Sequence, residues 1–392
     1  MFASPRVAVL ARFVLLFAAL YAAFGVASPF LPAFLSARGL RPEEIGLVLA
    51  AGTAVRLISG PAVGRLADRL AALRAVLGAC AALSALVALC YLPAAGFVLL
   101  LAVGLCYAAT LAPITTLADA LALGAAARGR GGFEYGWVRG AGSAAFIMGS
   151  ILSGQAVGLF GLSTIFLLQA GLLAIAACCA MLVPEFMRRD HGAPDRVEAG
   201  SALGALIALP GFVPLVTIAA LVLGSHAMHD AFAVIRWNAA GIAPATAGLL
   251  WSESVAAEVV VFFVLGPALL DRLGPAHAMA LAAAAGVLRW SVMALTADVV
   301  ALAMIQPLHG FTFALLHLAC MRVLARIVPP ALAATAQAIY GTLIVGAATA
   351  GLTLLSGLLY GQLGAHGFWV MAALCAIALP ITRALRVCAP AE

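Results

Sequence analysis

From residue 8 to residue 387 the chain is a succession of apolar runs, each about 20 residues long, separated by short polar turns. Each run can cross a ~30 Å hydrocarbon layer as a helix. No other feature restricts the fold as severely. Lipid offers no partner for backbone N–H and C=O groups, so a spanning segment must be a helix or part of a closed barrel. A barrel needs short strands of alternating polarity, and here the apolar residues are contiguous. The expected fold is an all-α polytopic membrane protein. We read twelve transmembrane helices, at 8–32, 44–64, 73–93, 96–123, 137–160, 163–183, 203–235, 246–268, 276–296, 299–322, 332–358 and 365–387. Pro29, Pro113 and Pro307 are expected to interrupt helices, as a proline does where backbone lines a cavity or bends.

Every one of the 21 basic residues is arginine. Without lysine there is no phosphate loop ending in GK[ST] and no lysine Schiff base. HExxH and GxSxG are also missing, which argues against a membrane-embedded enzyme. The cysteines sit mostly in apolar runs with no CxxC spacing, as small packing residues do. No cofactor and no metal are implied. The formal charge of +6 suits a surface facing anionic lipid, not nucleic acid.

Arginine placement sets the orientation. With the N-terminus inside, fifteen arginines fall in inner loops and tails, and only Arg38, Arg41 and Arg236 in outer loops. By the positive-inside rule both termini are cytoplasmic. The polar stretch PEFMRRDHGAPDRVEAG, 184–200, then lies inside and reads as a linker. It divides the chain into 1–183, a linker at 184–201, and 202–392.

The two parts echo each other. GLRPEEIGL at Gly39 and GIAPATAGL at Gly241 share the frame G-x-x-P-x-x-x-G-L at an offset of 202. Asp68-Arg69 and Asp271-Arg272 lie 203 apart, and Tyr135-Gly136 and Tyr340-Gly341 lie 205 apart. Three matches near one offset argue for two six-helix halves related as a parallel repeat. In transporters of that kind the solute site lies near the midplane, at the repeat interface.

Several stretches carry a resemblance. GRLADR (64–69) is similar to the inner signature loop of the major facilitator superfamily, though it lacks the following Gly and basic residues. TLADALAL (116–123), YGWVRGAGSAAFIMGS (135–150), SHAMHDAFAVIRW (225–237), GLLWSESVAAEVVVF (248–262), LRW (288–290) and QPLHGFTFALLHLACMR (306–322) together resemble the phenylpropionate permease branch. That branch is related to the lactose permease and other proton-linked sugar symporters. The resemblance implies alternating access and proton symport in a bacterial inner membrane, with a small-molecule solute and protons as partners. The protein is expected to be a monomer in the bilayer.

The charges inside apolar runs are the candidate site. Glu258 lies about 12 residues, or ~18 Å, from the outer end of its helix. An isolated acid there costs roughly 2.5–3.5 kcal/mol, which protonation largely removes. Such a group suits a reversible proton carrier, and Arg289 is its expected counter-charge. Glu253, about 140° away around the helix, is read as a vestibule group, and Trp251 as sharing the face of Glu258. His309 and His317, beside Gln306, can pass protons near neutrality. The sugar-linked relatives carry an acid three residues after the helix-ten histidine. Here Thr312 or Cys320 stands there, so the resemblance leaves more of the proton work to Glu258.

Asp119 and Arg139 occupy helices from which the related sugar carriers hold solute. Arg56 is a further intramembrane cation that can meet an anionic solute or pair with Asp119 or Asp230. Tyr21, Phe24, Trp251 and Trp290 are aromatic candidates for solute contact. Asp68, Arg69, Asp230, Asp271 and Arg272 are read as gate or loop groups. His226, His229 and Asp230 crowd one helix end, where gate hydrogen bonding is favoured over a metal. The expected function is proton-coupled import of a small solute, best an aromatic carboxylate such as 3-phenylpropionate. The alternatives are a sugar or nucleoside symporter and a proton-driven drug efflux antiporter.

Overall fold

A computed structural model describes residues 5–127, 133–185 and 199–387. Among these residues there are helices and turns and no strand. Arg128, Arg130, Arg188, Arg189, Arg196 and residues 186–198 of the expected linker lie outside the described residues.

Cα packing divides the chain into two units. The first comprises residues 1–191 with 241–252, and the second 192–240 with 253–392. The first unit contains α1 (Pro5–Ala27), α2 (Leu31–Ala37), α3 (Pro42–Leu70), α4 (Leu73–Cys90), α5 (Phe97–Ala126), α6 (Tyr135–Phe160) and α7 (Thr164–Leu182). Here α1 packs on α6 and α7, α4 on α7, and α3 on α5. Small residues make the α1–α6 approach close. A Cβ on Gly25 would strike the Phe146 carbonyl, and one on Gly149 would lie 2.5 Å from the Ala22 carbonyl oxygen. Ser150 secures the crossing by donating to the Gly25 carbonyl at 3.0 Å.

The second unit holds α8 (Ala199–Ile207), α9 (Phe212–Gly224) and α10 (Ala227–Ala239). Next comes α11 (Pro244–Val260), whose residues from Glu253 onward belong to this unit, then α12 (Gly266–Leu295), α13 (Val299–Ile305) and α14 (Leu316–Ile327). It ends with α15 (Ala333–Ala338), α16 (Ala347–Leu363) and α17 (Phe368–Val387). The main packings are α12 on α17 and α14, α9 on α17, and α10 on α16.

Among the described residues, ten helical stretches are long and apolar enough to cross a membrane. Two of them, Pro244–Leu295 with 52 residues and Pro330–Leu385 with 56, far exceed one crossing. The first contains Gly274 at φ 71° and the second Gly364 at φ 55°, a left-handed geometry that breaks helical continuity. Large apolar side chains such as Ile58, Leu86 and Val98 are exposed throughout, as lipid-facing surfaces require.

Two sequence expectations need correction. Helix α5 runs on through Pro113, because neighbouring helices and local adjustment tolerate one lost backbone bond in a membrane helix. The prolines at 29 and 307 do coincide with departures from α-helix: Pro29 with the turn after α1, Pro307 with a 3₁₀ turn at Gln306–Leu308. The span read at 203–235 is also divided. Gly211, at φ 88° after Pro210, separates α8 from α9, and a turn at Ser225–His226 separates α9 from α10.

Candidate functional site

Each unit carries a polar constellation among apolar helices. In the first unit α1 supplies Tyr21 and Phe24, α5 supplies Asp119, and α6 supplies Tyr135 and Arg139. Tyr135 donates its hydroxyl to Asp119 Oδ1 at 2.7 Å. The Arg139 guanidinium lies 4.5 Å from the centroid of the Tyr21 ring, a cation–π contact. Phe17 stacks on Tyr21, while Phe24 meets it edge-on. Gly142 makes this arrangement possible, since a Cβ there would stand 2.9 Å from the Tyr21 ring. Arg139 Nη1 is buried and meets no protein acceptor, and no ion pair joins Arg139 to Asp119 among the described residues. The cluster therefore presents a cation with an open N–H beside aromatic rings.

The second constellation centres on Arg289 of α12, which is fully buried. Its Nη1 lies 3.0 Å from His309 Nδ1. Its Nη2 donates to Gln306 Oε1 at 2.9 Å and lies 3.5 Å from His229 Nε2. Ser254 donates to the same Gln306 oxygen at 3.0 Å. The guanidinium also rests 4.6 Å from the Trp290 ring centroid. His309 Nε2 in turn lies 3.5 Å from Glu258 Oε2. A guanidinium can only donate, so His309 Nδ1 must be its lone-pair nitrogen and Nε2 must carry the proton that faces Glu258. His309 thus stands between the acid and the arginine that the sequence suggested as a pair.

Close backbone approach sets this geometry. A Cβ on Gly310 would lie 2.7 Å from the Ala257 carbonyl oxygen and 2.7 Å from Val261 Cγ2. Glycine there brings the turn carrying His309 against the helix carrying Glu258. Both helices pass into π-helical turns at this level, Val261–Leu265 and Gly310–Leu315, a feature frequent at functional sites.

The remaining candidates are placed as follows. Trp290 is fully buried and donates its indole N–H to Ser225 at 2.8 Å. Trp251 is buried and Glu253 half-buried on α11. His317 packs against the rings of Phe262 and Tyr340. Arg56 is exposed on α3 and forms no ion pair among the described residues. Asp68 and Arg69 are exposed at the end of α3, and Arg272 is exposed near the start of α12. Asp271 pairs with Arg322 at 2.6 Å. Asp230 is exposed and lies 3.4 Å from His229 Nδ1. Sequence reasoning missed Ser254 and Tyr135 as site residues. It assigned His229 to an outer gate, although the cluster of two histidines and an acid was visible.

The MFS_1 like family matches residues 10–371. The chain is 32% identical over 361 residues to the "Probable 3-phenylpropionic acid transporter" of Escherichia coli (strain K12), covering 91% of this chain and 92% of that protein. It is 22% identical over 305 residues to the "Uncharacterized transporter YwbF" of Bacillus subtilis (strain 168), covering 78% and 74%. Among solved structures, the nucleoside transporter NupG superposes with a TM-score of 0.81 at 16% identity, over 97% of this chain and 98% of that one. A bacterial homolog of the human lysosomal transporter Spinster superposes at 0.73, with 16% identity and 98% of both chains covered.

Proposed function

The chain belongs to the MFS_1 like family of membrane transporters, and on that premise we propose that it is a proton-coupled symporter importing a small organic solute by alternating access. One observation carries the proton coupling: Glu258, half-buried in an apolar helix, meets Arg289 through His309. Ionised, Glu258 accepts the His309 N–H and its charge is balanced through the ring by the guanidinium. Protonated, it no longer needs that balance, and the helices bearing it can move without dragging a bare charge through lipid. A potential of about 150 mV supplies roughly 3.5 kcal/mol per proton, and each pH unit adds ~1.4 kcal/mol. One proton moved with a neutral solute can therefore drive accumulation of several-hundred-fold, whereas one moved with a monoanionic carboxylate carries no net charge and draws on the pH gradient alone, about tenfold per pH unit.

The solute assigned is a small aromatic carboxylate such as 3-phenylpropionate. Two facts support this: the identity to the Escherichia coli relative, and the open N–H of Arg139 among Tyr21, Phe24 and Phe17. Arg139 meets the carboxylate and the rings meet the phenyl group. Asp119, held by Tyr135, excludes a second anion from the same spot. Reading the two overlong helical stretches as two crossings each gives twelve. Both termini are then cytoplasmic, in a monomer of the bacterial inner membrane. No cofactor is required.

Glu258→Gln tests the reading. Reconstituted vesicles should lose proton-driven accumulation of labelled 3-phenylpropionate yet still exchange it across the membrane. Normal accumulation by this variant would refute the carrier role. Competition by unlabelled sugars and nucleosides separates the alternative solutes, and the direction of flux in energised vesicles separates efflux.

A further inference from the structure

The hydrogen bonds of Arg289 run in two directions. On one side lie His309 and then Glu258. On the other lie His229, 3.5 Å from Nη2, and then Asp230, 3.4 Å from His229 Nδ1. The same donor logic applies to both rings. A guanidinium has no lone pair to offer, so the nitrogen facing it on each imidazole is unprotonated. His309 therefore holds its proton on Nε2, toward Glu258, and His229 holds its proton on Nδ1, toward Asp230. The result is a five-membered row: carboxylate, neutral imidazole, guanidinium, neutral imidazole, carboxylate. With both acids ionised the row carries two negative charges and one positive. One proton makes it neutral.

We propose that Asp230, through His229, is a second proton-accepting arm that competes with Glu258–His309 for the single positive charge of Arg289, so that the two acids share one proton. This inference rests on the proton-coupling reading above and extends it. Protons cannot pass along the row, because a guanidinium does not give one up. The two arms are therefore separate ports linked only by charge: when one acid is protonated, Arg289 balances the other. Asp230 has a side chain 58% exposed against 29% for Glu258, whereas the His229 between Asp230 and Arg289 is 4% exposed. The acid of the Asp230 arm is thus the more exposed of the two, while its imidazole is the more buried, at 4% against 15% for His309.

Among the described residues, the charges that act on Asp230 are those of His226, His309 and Arg289. Its own helix brings His229, and the turn before that helix brings His226, which is bound to Thr312 Oγ1 and to the carbonyls of Val222 and Leu223. Helix α12 brings Arg289, the turn after α13 brings His309, and α16, packed on α10, brings Tyr360, which stacks on Phe232. Around Glu258 the titratable neighbours are His309, His317 and, on its own helix, Glu253.

The test is a potentiometric titration of purified full-length protein in detergent, without solute, from about pH 5 to 8, where imidazoles and paired acids exchange protons. Wild type, Glu258→Gln, Asp230→Asn and the double variant are compared after gel filtration confirms folding. A shared proton predicts that each single variant binds one proton fewer than wild type, that the double variant also binds one fewer, and that Asp230→Glu restores it. If Asp230→Asn titrates as wild type while Glu258→Gln loses the proton, the second arm is wrong and the coupling role of Glu258 stands. If Asp230→Asn alone loses it, or the double variant loses two, sharing is wrong. If no variant loses a proton, both readings fall. Should the variants not fold, ¹⁵N spectra of histidine-labelled wild type decide: His229 and His309 must be opposite neutral tautomers, and a common tautomer overturns the row.

Discussion

A guanidinium offers five N–H groups in a fixed plane, and Arg289 directs them to three acceptors: His309, His229 and Gln306. An ammonium carries the same charge on a single atom and cannot reach three groups spread over a planar fork. Arg289→Lys should therefore keep the charge and lose the geometry. Each buried acceptor left without its donor costs about 1–3 kcal/mol. We expect a folded protein with lower thermal stability and proton-driven uptake reduced at least tenfold. Uptake equal to wild type would mean that charge alone suffices at this position. Glu258 and Arg289 were legible in the sequence because each is a charge inside an apolar run. His309 was legible as a proton-passing candidate, but its place between the two was not, because that depends on a turn that no apolar periodicity reports. Tyr135 was hidden differently. It stands 16 residues from Asp119, and only the folding back of α6 beside α5 brings its hydroxyl to that acid.

At the scale of elements, the spacing of two helices decides whether Glu258 and His309 can meet. Gly310 adjoins His309, and Ala257 adjoins Glu258. A methyl group at Gly310 meets a backbone carbonyl, which cannot swing aside as a side-chain tip can. Gly310→Ala should part the helices and widen the 3.5 Å gap between Glu258 and His309, at a stability cost of about 1–3 kcal/mol for overpacking. Coupling should fail as in Glu258→Gln, although both charged residues remain. Gly171→Ala is the control, since no atom stands within 4 Å of a Cβ there, and it should transport normally. Equal behaviour of the two variants would remove Gly310 from the account. Most of the helices were legible as uninterrupted apolar runs, and the turn at Pro29 from its proline. The π-helical turns were not, because one extra residue in a turn leaves the apolar composition unchanged. The division at Pro210-Gly211 was missed despite a dipeptide that marks turns well.

Over the whole molecule, the two matching sequence frames carry the same backbone devices. Gly39 and Gly241 adopt φ 86° and 84°, and each precedes a helix opened by proline, at Pro42 and Pro244. A less visible correspondence involves Arg38 and Arg236. Arg38 donates to the carbonyls of Leu92 and Ala94 just beyond α4, at 2.6 and 3.3 Å. Arg236 donates to the carbonyl of Thr296, the residue capping α12, at 2.9 Å. Ala94 and Thr296 are 202 positions apart, the offset of the glycine–proline frame. Both cations thus meet carbonyls at a helix C-terminus, where positive charge is favoured. The bonding differs: Arg38 uses both terminal nitrogens, whereas Arg236 Nη1 is buried without a partner. Loss of Arg38 should accordingly cost more than loss of Arg236, about 1.5–3 kcal/mol for charged hydrogen bonds against the lower end of that range. The two clamps share no residue, so their effects should add in the Arg38→Ala/Arg236→Ala double variant. Unfolding of the purified variants in detergent measures this. A double variant no less stable than Arg38→Ala alone would show that the second clamp contributes nothing, and that the matching position has the geometry without the energetic role.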